Sequence, residues 1–338
     1  MNINELPTPA LVVDIAGLRK NIATMAAVHP GRRLRPHVKA HKCTGLAAEQ
    51  VAAGHDSFTC ATPREVAGMV AAGVGTDFLL ANECLDVDRL AALADLQDMA
   101  LITVAIDSPE TLDAARRAGI RSVMIDVNVG LPRCGVDPSR AGALADAARA
   151  AGMDVRGVMG YEGHLMMVTD RDDKKRRVHE SMALLAGAHR DVGGDIVSAG
   201  GTGTYDMFAG TTVNEVQAGS YVLMDSQYAQ LGHPFVQACW VVGTVIHAND
   251  DWSVVDVGLK SLGMDHGNPA IKDHSVWFCS DEHTTFSPDE GTPRPVVGER
   301  AFVTPAHLDP TMAMHEVVHV ANEYGEIVAQ WPVDLRGW

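Results

Sequence analysis

Residues 76–96 read TDFLLANECLDVDRLAALADL. A short apolar run, TDFLLAN, leads directly into an alanine- and leucine-rich stretch of helical character. The same step recurs along the chain. SFTCAT (57–62) precedes PREVAGMVAAGV, ALITVAID (100–107) precedes SPETLDAARRAG, and SVMIDVNVG (122–130) precedes SRAGALADAARAAG. VRGVMGYEGH (155–164) precedes DDKKRRVHESMALLAGAHRDVG, and DIVSAGGTGTY (195–205) and VNEVQAGSYV (213–222) end the series. Apolar runs without clean alternation mark strands covered on both faces, hence a parallel sheet. Counting LRPHVK (34–39) first, about eight β segments follow one another in roughly 220 residues, which fits a (β/α)8 TIM-type barrel better than an open sheet. Strand order is not legible from one sequence, so a doubly wound sheet stays open as the alternative.

Near Val236 the pattern changes. VQACWVVGTVIHA (236–248) opens a series of strand-like segments separated by turns, with no helix-length stretch, out to EIVAQWPV (326–333). This predicts an α/β barrel over residues 12–235 and an all-β domain over 236–338, joined by the strand-like segment at 8–13 (within TPALVVDI). The charge run DRDDKKRR (170–177) reads as the capped, solvated start of one helix.

The whole-chain totals narrow the function. With 46% hydrophobic and 21% charged residues over 338 positions, the chain is globular and can bury a sizeable core. A formal net charge of −16 argues against nucleic-acid and anionic-membrane partners. No apolar stretch is long enough to span a bilayer, and MNINELPTPALVVDI lacks the pattern of a signal peptide. Six scattered cysteines without a CxxC pair suggest reduced thiols, so a cytoplasmic location is expected.

Against this acidic background RPHVKAHK (35–42) stands out. Barrel enzymes place reactive side chains at the C-terminal ends of strands, which is where Lys39 falls. Packed among Arg35, His37, His41 and Lys42, its ammonium would be destabilised by like charges and become a usable nucleophile for Schiff-base chemistry. From composition alone, a solvated basic turn is the simpler account. SAGGTGTY (198–205) and QAGSY (217–221) each follow a β segment. Their glycine N–H groups and hydroxyls suit a phosphate, at the usual phosphate position of such barrels. A lysine on the first strand and phosphate loops on the last ones together suggest pyridoxal phosphate.

TPAHLDPTMAMHE (304–316) carries a metal signal. On a strand, His307 and Asp309 are i, i+2 and project from one face. Nitrogen and oxygen donors without thiolate fit a divalent cation, with Mn²⁺ first and Co²⁺, Mg²⁺ or Zn²⁺ as alternatives. Taken alone, a solvent-facing pair is the commoner explanation of such a motif. SDEH (280–283) and GYEGH (160–164) add His283 and His164 as further polar candidates.

In this order RPHVKAHK, GGTGTY, QAGSY, DVGLKSL, SDEH and HLDPT resemble the D-threonine aldolase and D-serine dehydratase branch of the alanine-racemase-like, fold type III pyridoxal phosphate enzymes. The resemblance covers nearly the whole chain, barrel first and β domain second. It implies that Lys39 carries pyridoxal 5′-phosphate as a Schiff base and that His307 and Asp309 hold a divalent cation that meets the substrate. It implies that Arg133 lies near the cofactor's phenolic oxygen or the substrate carboxylate, and that Tyr161, Thr202, Gly203, Thr204, Gln217, Gly219, Ser220 and Tyr221 contact the cofactor. Gln217 stands where alanine racemases place an arginine, which disfavours racemase chemistry. Asp309 stands where the dehydratases tend to show cysteine, which favours aldolase chemistry.

The expected activity is therefore retro-aldol cleavage of a D-3-hydroxy amino acid to glycine and an aldehyde. A metal-bound water, His164 or His283 would take the hydroxyl proton. Three alternatives remain: a D-serine or D-3-hydroxyaspartate dehydratase with the same cofactor and metal, a non-catalytic pyridoxal phosphate-binding protein, and a barrel scaffold on which Lys39 is merely surface. The resemblance also implies a homodimer.

Overall fold

The computed structural model describes residues 1–338; after a 3-10 turn at Ile3–Glu5, β1 (Ala10–Asp14) runs into α1 (Ile15–Val28). Asp14 makes that junction abrupt: its carboxylate accepts from the N–H groups of Ala16 and Gly17 at 3.1 and 3.0 Å, satisfying helix-start donors. The chain divides into two compact units. One comprises Met25–Lys39, Ala47–Gly219 and Gly337–Trp338, and the other Met1–Thr24, Ala40–Leu46 and Ser220–Arg336.

After α2 (Thr44–Ala52), strand–helix pairs follow: β2 (Ser57–Cys60) with α3 (Pro63–Ala71), β3 (Asp77–Leu80) with α4 (Val87–Ala94), and β4 (Leu101–Ile106) with α5 (Pro109–Arg117). Then come β5 (Ser122–Asp126) with α6 (Ala141–Ala150) and β6 (Asp154–Gly160) with α7 (Arg171–Val192). β7 (Ile196–Ala199) and β8 (Glu215–Val216) are joined by a loop instead. Thr62, Asp86, Ser108 and Asp170 cap α3, α4, α5 and α7 through their side-chain oxygens, and Pro63 and Pro109 occupy helix starts where a missing N–H is harmless.

The seven strands form one parallel sheet in sequence order. Its two edges are joined by the segment 34–37. Leu34 bridges Val216 of β8, His37 bridges Thr59 of β2, and both bridges are parallel. The ring is thus a (β/α)8-type barrel whose first strand is irregular. LRPHVK is not the regular strand expected. Pro36 has no N–H to donate to a ladder, although its carbonyl still accepts from Thr59 at 2.9 Å. Lys39 consequently lies in a 3-10 turn, Val38–Ala40. Leu79, Ala105, Met124 and Met159, one from each of β3 to β6, pack into a shared buried cluster. Fully burying a Leu or Met side chain contributes about 1.5–3 kcal/mol.

A buried ionic network lies within this unit. Arg35 donates to both carboxylate oxygens of Asp77 at 3.0 and 3.2 Å and pairs with Glu215 at 2.9 Å. Arg156 donates to the same two oxygens of Asp77, each at 2.8 Å. Burial alone would raise the Asp77 carboxyl, but the two guanidinium groups bring it down to about 2. The like-charge cluster expected around Lys39 is therefore corrected: Arg35 is turned inward and neutralised by carboxylates.

The second unit continues with α8 (Ser226–Ala229), β9 (Cys239–Ala248), β10 (Ser253–Val255), β11 (Ala270–Ile271), β12 (His274–Cys279), β13 (Thr284–Pro288) and β14 (Arg300–Thr304). It ends with α9 (Leu308–Met314), β15 (Val317–Ala321) and β16 (Ile327–Pro332). β9 pairs with β14, with β1 through its first half and with β10 through its second. Strands β9, β10, β13, β12, β11 and β14 thereby close into a ring, extended by β1, β15 and β16. β1 pairs antiparallel with β9 and parallel with β15.

One local expectation is overturned here. HLDPT is not a strand: His307 is the extended residue just before α9, and Asp309 lies in the first helical turn. Pro310 is tolerated there because its absent N–H falls among the donors a helix start leaves unsatisfied, and Asp309 favours the positive end of the helix. No helix in the structure is long and apolar enough to cross a membrane, and all six cysteines are free.

Candidate active site

In the barrel unit, the candidates sit after the C-terminal ends of strands. The Lys39 N–H donates to Nδ1 of His37 at 3.4 Å, which shapes the turn that presents the lysine. Beyond β5 the loop 127–136 is pinned at both ends. Val127 and Val136 bridge, and Gly135 N–H donates to Asp107 at 3.1 Å. At its tip the Arg133 guanidinium lies 5.3 Å from the ring centroid of Tyr161, which follows β6, within cation–π range. His164 is exposed in the 3-10 turn Gly163–Leu165, and a Cβ on Gly130 of the Arg133 loop would lie 3.0 Å from its ring. Desolvation and the nearby Arg177 charge lower its pKa, which favours a neutral imidazole.

The loop after β7 depends on glycine. A Cβ on Gly203 would collide with the Met166 carbonyl, and Gly200 has φ +91° with the Phe208 ring 2.7 Å from where its Cβ would be. Thr204 donates its hydroxyl to the buried Glu162 at 2.6 Å, and Gly200 N–H donates to the other Glu162 oxygen at 3.3 Å. Burial pushes the Glu162 carboxyl up, against those hydrogen bonds. Lys174 donates to the carbonyls of Met166 and Gly203 at 2.8 and 2.9 Å, and burial lowers its pKa to about 8. The charge run at the start of α7 is capped by Asp170 as expected, but Lys174 is buried rather than solvated. After β8, the Gln217 side chain donates to Ser198 Oγ at 2.9 Å, and Ser198 donates to Glu215 at 2.8 Å. Thr202 and Gly203 are buried at the turn, with Gly219 next to the 3-10 turn Ser220–Val222.

In the second unit, Ser220 Oγ donates to Asp309 Oδ1 at 3.2 Å, and Tyr221 packs against Phe235 with 5.5 Å between centroids. His307 Nδ1 donates to Asp265 Oδ2 at 2.7 Å, and its ring stacks on His266 with centroids 3.9 Å apart and planes 7° from parallel. Asp225 accepts from the Leu308 N–H at 3.1 Å and so fixes the backbone between His307 and Asp309. Burial pushes the Asp225 carboxyl up. His283 occupies the exposed turn between β12 and β13, where its carbonyl accepts from Ser280 at 2.8 Å.

Several polar residues here were not anticipated. Asp265 and His266 join His307 as a group of three metal-capable side chains within 4.8 Å, and Glu83, Asp107 and Cys134 form another. Beside that second group the Asp126 carboxyl is pushed well above the usual range, by burial first and then by the charge and hydrogen bond of Glu83. Lone acidic residues in unremarkable loops offer no spacing signal. Only DHG immediately after DVGLKSLGM could have drawn the eye to Asp265.

A barrel with a lysine beside its first strand position and a glycine turn after β7, in a chain that continues into an antiparallel β barrel, defines a class. The chain belongs to the D-threonine aldolase and D-serine dehydratase branch of the alanine-racemase-like, fold type III pyridoxal phosphate enzymes. The model of the alanine racemase N-terminal domain matches residues 13–227, and that of a serine dehydratase domain matches residues 238–321. The chain is 31% identical to a D-threonine aldolase from Arthrobacter sp., over 98% of this chain and 93% of that one. It is 30% identical to the 3-hydroxy-D-aspartate aldolase of Paracoccus denitrificans, over 100% and 94%. The crystal structure of D-threonine aldolase from Filomicrobium marinum superposes with a TM-score of 0.92 at 33% identity, covering 99% of this chain and 96% of that one.

Proposed function

We propose that the protein is a pyridoxal phosphate- and divalent-cation-dependent lyase that cleaves D-3-hydroxy amino acids to glycine and an aldehyde. The observation that carries this reading is the imidazole and carboxylate of His307 and Asp309 at the start of α9, an oxygen-and-nitrogen donor pair without thiolate. Its relatives include an enzyme named D-threonine aldolase and one named 3-hydroxy-D-aspartate aldolase.

The residues fit the two groups this reading needs. Lys39 offers a primary amine in a structured turn, and the turn 200–204 is fixed by packing of its glycines against Met166 and Phe208, with backbone and hydroxyl groups that suit a phosphate by their chemistry. With Gln217, Gly219, Ser220 and Tyr221, that turn would hold the phosphate end. His307 and Asp309 would hold the cation, Mn²⁺ in the first instance, and both present hard or borderline donors. Bound pyridoxal phosphate supplies a conjugated ring that accepts the electron pair released at Cα, and the cation acidifies the β-hydroxyl.

The protein's own groups do the rest. Arg133, steadied over Tyr161, binds and orients the substrate carboxylate. His164, as a neutral imidazole, takes the β-hydroxyl proton at its free ring nitrogen. Water and His283 are the alternative acceptors. Lys39 in its ammonium form, or a water, gives Cα the proton that leaves glycine, and the proton taken by His164 passes back to solvent.

The test is one incubation with D-threonine, with and without a chelator, assaying acetaldehyde and 2-oxobutanoate together. Chelator-sensitive acetaldehyde is expected, restored by Mn²⁺. Oxobutanoate with ammonia would instead make the protein a dehydratase. No aldehyde from any D-3-hydroxy amino acid would defeat the reading outright.

A further inference from the structure

His307 is held from two sides by residues of one loop. That loop, 258–266, docks on the start of α9 through Gly263, which bridges His307 in antiparallel fashion. Gly263 N–H donates to Thr311 Oγ1 at 2.8 Å, and the same hydroxyl donates to the His307 carbonyl at 2.8 Å. A Cβ on Gly263 would collide with the Pro310 ring, so this close docking requires glycine. The docking carries the next residues, Asp265 and His266, onto the imidazole.

A carboxylate only accepts, so the 2.7 Å contact to Asp265 Oδ2 places the proton on Nδ1 of His307. Its Nε2 then carries the free lone pair. His266, stacked 3.9 Å away at 7°, fixes the plane of the ring. The Asp265 side chain is 56% exposed and closes no core gap, so a packing role does not account for its position.

Resting on the reading of His307 as a cation ligand, we infer that Asp265 is its positioning residue: it sets the Nδ1–H tautomer so that Nε2 is the metal-facing nitrogen, while His266 holds the ring plane. Metal-ligating histidines characteristically donate their second N–H to such a partner, whose loss costs about 10–100-fold in metal affinity.

The experiment uses full-length, pyridoxal phosphate-loaded protein stripped of metal, with Mn²⁺ as the probe. Mn²⁺ affinity is read by electron paramagnetic resonance of the free ion, and the His307 tautomer by ¹⁵N imidazole shifts. Asp265→Ala is expected to weaken Mn²⁺ binding about 10–100-fold and to shift His307 away from the Nδ1–H form. Asp265→Asn, which keeps an acceptor oxygen, should recover most of that affinity and the wild-type tautomer. His307→Ala should abolish binding. If Asp265→Ala keeps wild-type affinity and tautomer while His307→Ala loses the ion, the positioning role is wrong. If Asp265→Asn loses the ion as completely as His307→Ala, Asp265 is itself a ligand and the role is again wrong. If His307→Ala binds as wild type does, the underlying assignment of the cation fails instead.

Discussion

Ser220 donates its hydroxyl to Asp309 at 3.2 Å, joining a residue of the QAGSY turn to the carboxylate of the HLD pair. Under the proposed function the serine would serve Asp309, a cation ligand, through its side chain and the phosphate through its backbone. A hydrogen bond to a charged group is worth about 1.5–3 kcal/mol, so Ser220→Ala should weaken Mn²⁺ binding by about 10- to 150-fold. Retention of the cofactor should change less. Parallel titrations of Mn²⁺ and of pyridoxal phosphate absorbance check this, and a larger loss of cofactor than of metal would contradict it.

Arg35 and Lys39 stand four positions apart but serve different ends. Arg35→Met removes a buried cation from Asp77 and Glu215, and breaking such a network costs about 3–5 kcal/mol. Urea denaturation should show it. Lys39→Ala, in contrast, should cost less stability than Arg35→Met yet lose the lysine-bound cofactor band at about 420 nm.

Asp126 provides a pH test. Its folded pKa is raised by burial and by Glu83, so the native protein keeps a proton that the unfolded chain gives up above about pH 3.9. The stability this group contributes is complete below that pH and is lost as pH rises through the folded value. Asp126→Asn cannot ionise. Its stability relative to wild type should therefore grow from pH 4 upward, with a slope of up to about 1.4 kcal/mol per pH unit. Denaturation midpoints at pH 4.5, 6 and 8 read the difference, and a flat difference would rule out a protonated native Asp126.

The two candidate bases are separable by kinetics. Removing a general base costs about 10²–10⁴-fold, so His164→Ala should lower kcat for D-threonine cleavage by that amount, and His283→Ala should not. The reverse result would move the base to the β12–β13 turn. Equal, small losses would assign the role to water.

The alternation of apolar runs with alanine-rich stretches follows from local preference, and it defined the barrel because each β segment and its following helix lie within some thirty residues. The change near Val236 is a local pattern of the same kind, whereas the second compact unit takes in Ser220–Arg336 together with Met1–Thr24 and Ala40–Leu46. Lys39 and the glycine turns stand out in the sequence because each concentrates unusual residue types in a few adjacent positions. The inward turn of Arg35 was not: its partners Asp77 and Glu215 lie 42 and 180 positions away, and only closure of the barrel brings them together. Nor was the conformation of HLDPT, where alternation suited a strand but Pro310 after Asp309 opens a helix. Local sequence thus established most of the elements and their order. Which polar groups meet, Asp265 with His307 above all, was decided by strand pairing and loop docking over long sequence separations, where no short-range pattern records the contact.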